Sequence, residues 1–188
     1  MAEARDRLLD QVLEYVAAHG LSNRSLRDLA TGIGSSHRML NYHFGSRDGL
    51  VAAIVSKMET QQQAALADLA DVAITPTDLV RRQWELLSDP NLAPFERLFF
   101  EVLAQALHGR PGTAGFLEQL TAPWIEMGAV IAGQLGVVVT ETELLLGIAV
   151  VRGLVLEMLV SGDADASTAA LAQFLSMWEQ SRALPSRS

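Results

Sequence analysis

Between positions 37 and 43 the chain sets two imidazoles, a guanidinium, a carboxamide and a phenol along one short segment, as His37, Arg38, Asn41, Tyr42 and His43. Three chemistries could use such a set. A metal site is one, but six residues separate His37 from His43, which places them on different faces of a helix, and no carboxylate stands at ligand spacing from both. No metal and no cofactor is expected. Bond-making catalysis is the second, and it needs a nucleophile with a base and an orienting group. The chain has no cysteine, no G-x-S-x-G turn and no Glu-x-x-His pair of the kind that builds di-iron bundles, so an enzyme is the poorest fit. The third is recognition by hydrogen bonds. Arg, Asn, Ser and His present donors and acceptors that suit base edges and phosphates.

The elements that must position these groups can be read around them. Leu26, Leu29, Ala30 and Ile33 repeat at i, i+3, i+4, i+7, which one helical face can bury, and Ser25 stands where it can cap the free amides of that helix. Gly34 can take positive φ at no steric cost and turn the chain sharply. Ser36 can then cap a second helix on which only Leu40 and Phe44 repeat at i, i+4, so its other faces must meet water or a partner. An earlier helix, with Leu9, Val12, Leu13 and Val16 and an end near His19 and Gly20, should cover both. Together they spell a three-helix head built on a helix-turn-helix.

The stretch Tyr42, His43, Phe44, Gly45, Ser46, Arg47, Asp48 resembles the TetR family of transcriptional regulators, whose motif closes on an aromatic turn, a small residue, Ser or Asn, a basic and an acidic residue. The match covers about the first third of the chain. The resemblance implies dimers formed through the last two long helices, and an effector cavity among the fifth to eighth helices. On this reading the third helix enters the major groove with Ser36, His37 and Arg38 at base edges, while Ser25, Arg27, Tyr42, His43 and Arg47 grip phosphates. Asn41 departs from the pattern. It stands where the family usually has a tyrosine that contacts the DNA backbone, and that contact falls to Tyr42 or to the shorter amide.

A net charge of −8 argues against nucleic acid until its distribution is examined. From Leu21 to Lys57 five basic residues face two acids, whereas from Met58 onward seven arginines face sixteen acids. A locally basic module on an acidic body can still release counterions from phosphates. At 188 residues and 49% hydrophobic content, the chain can bury a core beyond a small head. The start, Met1 to Asp10, is charged and has no apolar run of the kind a signal peptide carries, which together with the lack of cysteine leads us to expect a cytoplasmic protein.

The remainder reads as helices. Ser46 can cap a long fourth one running through Leu50, Ile54 and Met58 to about Val72; Thr75, Pro76 and Asp78 open a fifth that ends near Ser88. A sixth after Pro94 carries Phe95, Leu98, Phe99, Val102, Leu103 and Ala106. A seventh carries Leu117, Leu120, Trp124, Met127 and Ile131, with Pro123 bending it or marking its true start. Thr140 and Glu143 form a capping box before an apolar helix to about Val160, interrupted by Arg152 and Glu157 and short of the roughly 20 residues a bilayer needs. Asp165 or Ser167 begins the last, and Pro185 onward is a tail. Trp84, Phe99, Phe100, Leu103, Leu120, Trp124, Met127 and Arg152 are the candidates for an effector pocket, with Gln105, His108 and Glu126 as further polar groups. Leu154, Met158, Leu171, Leu175 and Trp178 are expected at a dimer interface, since two helices this apolar exceed what one small subunit hides.

The expectation is therefore an all-α protein with a DNA-binding domain at residues 1–49 and an effector-binding and dimerisation domain at 50–188, the long fourth helix joining them. It would act as a homodimeric repressor on a palindromic double-stranded DNA operator, released by a small apolar effector, with no membrane partner. The alternative is a helical dimeric interaction or ligand-binding protein that no longer binds DNA.

Overall fold

A computed structural model describes residues 2–113 and 115–183; the tail expected from Pro185 lies outside them. The described residues form ten helices and no strand: α1 (Ala2–His19), α2 (Leu26–Gly32), α3 (His37–Phe44), α4 (Arg47–Ala70), α5 (Pro76–Leu87), α6 (Ala93–Leu107), α7 (Phe116–Gln119), α8 (Ala122–Gln134), α9 (Glu141–Ser161) and α10 (Ala164–Ala183). The fold is all-α, as the periodicity predicts. The long seventh helix of the sequence reading is two, because Pro123 sits in the first turn of α8, where its missing N–H costs nothing. The start of α10 is set one step earlier than expected: Asp163 accepts the N–H of Ala166 at 2.9 Å.

Packing divides the chain into two units, Met1–Ala67 with Pro94–Ala122, and Asp68–Ala93 with Pro123–Ser188. The residue 49/50 boundary expected for the DNA-binding module falls inside the first, within α4. This unit has one continuous apolar core. Val12 and Val16 of α1, Leu29 of α2, Leu40 of α3, Leu50 and Ile54 of α4, Leu98 and Val102 of α6 and Phe116 of α7 are all buried in it. Burying a side chain of this size stabilises by about 1.5–3 kcal/mol, so the head takes its rigidity from α6 and α7 as well as from its own three helices.

The second unit is built on α9 and α10, with Val155, Met158, Leu171 and Leu175 buried between or beside them. Trp84 of α5 donates its indole N–H to Thr168 Oγ1 of α10 at 2.8 Å. Glu143, fixed by the capping box at the start of α9, accepts from Trp178 Nε1 at 3.2 Å and Arg182 Nη1 at 2.9 Å. Hydrogen bonds from Thr140 and Arg182 hold its carboxyl below the ordinary range.

Two expectations are corrected here. Met158, Leu171 and Leu175 do not face outward for a partner; Leu171 and Leu175 are 2% and 3% exposed, inside their own chain. Trp178 is half-buried and bonded to Glu143, and Leu154 is half-buried. α9 instead exposes a row of Thr142, Leu146, Ala149, Gly153, Leu156 and Val160, alternating four and three residues apart, with Glu141, Leu145, Glu157 and Ser161 exposed beside it. α9 is also 21 residues long, not short of a bilayer, and is the one helix among the described residues long and apolar enough to cross a membrane.

Candidate nucleic-acid interface

The α2–α3 corner is fixed by three local devices. Ser25 caps α2: its Oγ accepts from the N–H of Asp28 at 3.2 Å and donates to Asp28 Oδ2 at 2.6 Å, while the Ser25 N–H donates to the same oxygen at 2.8 Å. These bonds hold the Asp28 carboxyl below its ordinary range, keeping it ionised as the acceptor of the cap. Gly34 takes φ +67° in the turn. Ser36 then caps α3 by accepting from the N–H of Met39 at 3.2 Å.

Two glycines work by what they lack. A methyl group at Gly32 would lie 2.2 Å from Cζ of Tyr15, so the Tyr15 ring sits in the space that glycine leaves and would have to shift for any side chain there. At Gly49 it would lie 2.1 Å from the carbonyl oxygen of Phe44, so α4 can start this close to the end of α3 only with glycine there. Gly49 directly follows the Tyr42–Asp48 stretch, and its contact gives part of the physical content of that pattern.

On this base α3 has two faces. Leu40 and Phe44 are buried, and Ser36, His37, Arg38, Met39, Asn41 and Tyr42 are exposed. His37, Arg38, Asn41 and Tyr42 fall at i, i+1, i+4 and i+5, which groups them on one side of the helix. His43 is half-buried and meets the Tyr42 ring edge-on, with centroids 5.0 Å apart. Arg27 is exposed on α2. All nine candidate contacts are at least partly accessible.

Arg47, the ninth, serves the fold. Its Nε donates to the carbonyl of Arg24 at 2.7 Å and its Nη2 to that of Leu21 at 3.2 Å. Arg24 is used in the same way, its Nε on Gly20 O at 2.9 Å, Nη2 on His19 O at 2.8 Å and Nη1 on the Tyr15 hydroxyl at 3.1 Å. These donors cap the end of α1 and tie the α1–α2 loop to the start of α4. Glu101 of α6 completes the loop. Its carboxylate accepts the N–H of Leu21 at 3.1 and 3.0 Å and that of Ser22, and Gln105 donates to it at 3.4 Å. Sequence reading missed Glu101, because a loop carries no periodicity that points to a side chain 80 positions away.

The effector candidates separate between the units. Phe99, Phe100, Leu103 and Leu120 belong to the first, half-buried, with the Phe99 ring edge-on to Phe100 at 5.2 Å and to Phe116 at 5.7 Å. Trp84, Trp124, Met127 and Arg152 belong to the second; Trp84 is buried, and burial lowers the pKa of Arg152. Gln105 is taken up by Glu101, and His108 and Glu126 are exposed. One residue was overlooked. Glu96 of α6 is 7% exposed, no described side chain pairs with it, and burial pushes its carboxyl up to about 7. Its signal was present: a charged residue within Phe95, Phe99 and Phe100 spacing on an apolar helix. Among the described residues no group of three potential metal ligands occurs.

By sequence, no protein-family model and no curated relative matches the chain. By structure it is similar to a TetR transcription regulator from Haloarcula marismortui, at 14% identity and a TM-score of 0.77 over 96% of this chain and 98% of that one. It is also similar to a candidate TetR-family regulator from Rhodococcus sp., at 21% identity and 0.74 over 94% and 98%. A third, a candidate transcriptional regulator from Saccharomonospora viridis in complex with choline, aligns at 19% identity and 0.76 over 94% and 97%. The chain has the fold of these proteins along nearly its whole length.

Proposed function

We propose that the chain is a TetR-family transcriptional regulator: a homodimer that binds double-stranded DNA through α3, represses from a palindromic operator, and responds to a small effector. The observation that carries this reading is the two-faced α3, whose side bearing His37, Arg38, Asn41 and Tyr42 is held outward by a core that fixes Leu40 and Phe44. A buried face sets the register, and an exposed polar one at the start of a helix suits base edges and phosphates. Shared fold with the proteins above supports it.

The exposed row on α9 supports dimerisation, because apolar and small residues spaced four and three apart make a seam that a second helix can cover. Two heads then read two half-sites. A transmembrane role for α9 is disfavoured by Arg152 at its middle and Glu157 in its second half, charges that are costly within a bilayer. Ligand response follows from differential affinity: an effector that favours a head spacing unfit for DNA about a hundredfold weakens binding by ~2.7 kcal/mol per site. Such a protein acts by binding and not by turnover, on DNA in the cytoplasm.

The test is a gel-shift assay at low salt with the DNA upstream of the protein's own reading frame. Retardation that competing unrelated DNA does not abolish supports the regulator. Retardation indistinguishable between that fragment and unrelated DNA at every salt concentration overturns it and leaves an interaction or ligand-binding protein.

A further inference from the structure

We propose that Glu96 anchors an organic cation, a quaternary or protonated amine with an apolar body, against the aromatic side of α6. This narrows the effector class and rests on the effector reading above. Glu96 is 7% exposed and has no partner among the described residues. Burying a carboxylate without a counter-charge is costly, and a replaceable residue on an apolar helix face would be expected to be apolar. The missing element is a positive charge that none of the described residues supplies. Arg97, the one cationic side chain on α6, is exposed.

What surrounds Glu96 along the helix fits the same ligand. Phe99 and Phe100 stand three and four residues after it, on the same stretch of helix surface, and both are half-buried. Phenyl faces attract ammonium groups, by about 0.5–1 kcal/mol at exposed sites and more when desolvated. An anion would meet a carboxylate, and a neutral molecule would leave its charge without a counter-charge. A cation satisfies it and the rings together. The choline found in the Saccharomonospora neighbour is a molecule of this chemistry, bound by a protein of this fold.

Calorimetry on the full chain with choline, with tetraethylammonium, and with the neutral carbon isostere of choline tests the proposal. We expect at least one cation to bind at least tenfold more tightly than the isostere, and Glu96→Gln to weaken that cation at least tenfold without changing the isostere. Phe100→Leu, which keeps apolar bulk and removes the ring, should weaken the cation several-fold and serves where the first variant fails to fold by circular dichroism. Failure of both cations to bind the parent, or equal binding by parent and folded Glu96→Gln, overturns it. The gel shift is scored separately: Glu96-dependent cation binding without DNA binding would sink the regulator alone, and DNA binding without cation binding would sink this proposal alone.

Discussion

Glu101 accepts the backbone N–H of Leu21 with both carboxylate oxygens, at 3.1 and 3.0 Å, across 80 positions of sequence. The pair makes α6 a structural part of the N-terminal head, because the loop it holds is the one onto which Arg47 of α4 and Arg24 donate.

The first prediction follows from that bond. Glu101→Ala leaves the Leu21 and Ser22 amides without their acceptor, at a cost of about 1–3 kcal/mol, and Glu101→Gln, which keeps one acceptor oxygen, costs less. Urea unfolding should rank the three in that order. Amide exchange at Leu21 and Ser22 should quicken in Glu101→Ala; unchanged exchange there refutes the assignment.

Arginines on the corner should separate into two kinds. Arg38→Ala should weaken operator binding by ~1–3 kcal/mol and relax base preference, with no change in melting temperature. Arg27→Ala should weaken all sequences alike and lower the salt dependence. Arg47→Ala should lower the melting temperature, since its guanidinium holds two backbone carbonyls. Titrations against operator and random DNA at two salt concentrations, with thermal melts alongside, distinguish them.

Assembly can be broken without unfolding at one position and not at another. Leu156, exposed on α9, should tolerate a carboxylate in the monomer, so Leu156→Glu should lower the mass seen by light scattering while keeping helical content. Leu175 lies within its own subunit, and Leu175→Glu should unfold the second unit instead. A Leu156→Glu variant with the parent's mass would move the interface elsewhere.

The Glu96 carboxyl, raised by burial to about 7 from an ordinary 4.5, gives a pH signature. A raised carboxyl binds protons better folded than unfolded, so its contribution is full below about pH 4.5 and is lost as pH rises to about 7. The loss amounts to about 3 kcal/mol by linkage. Stability of the parent relative to Glu96→Gln should therefore fall across that window and level off above it, as read by denaturant titrations from pH 4 to 8. Parallel curves would mean that Glu96 finds a partner on folding.

How far the sequence could be read depended on whether a residue's role was local. Ser25, Ser36, Thr75 and Thr140 cap the helices they precede, because a cap and its amides lie within three residues. Leu40 and Phe44 showed which side of α3 is buried for the same reason. Leu175 and Met158 were misplaced since periodicity reveals an apolar face without saying whether the covering helix belongs to the same chain or another. Arg47 was assigned to phosphate by its charge, and only tertiary placement shows its donors turned onto Arg24 and Leu21. Glu96 was passed over as one charge among many, although its aromatic neighbours set it apart.

The division of α3 into a buried pair and an exposed row also bears on how such a protein can diverge. Leu40 and Phe44, with the bare backbone of Gly49, tolerate little change, and a library of variants selected only for folding should lose diversity there. His37, Arg38 and Asn41 are exposed to solvent, so substitutions there are expected to cost little stability. After a gene duplication, two copies can change at those positions while sharing one unaltered scaffold.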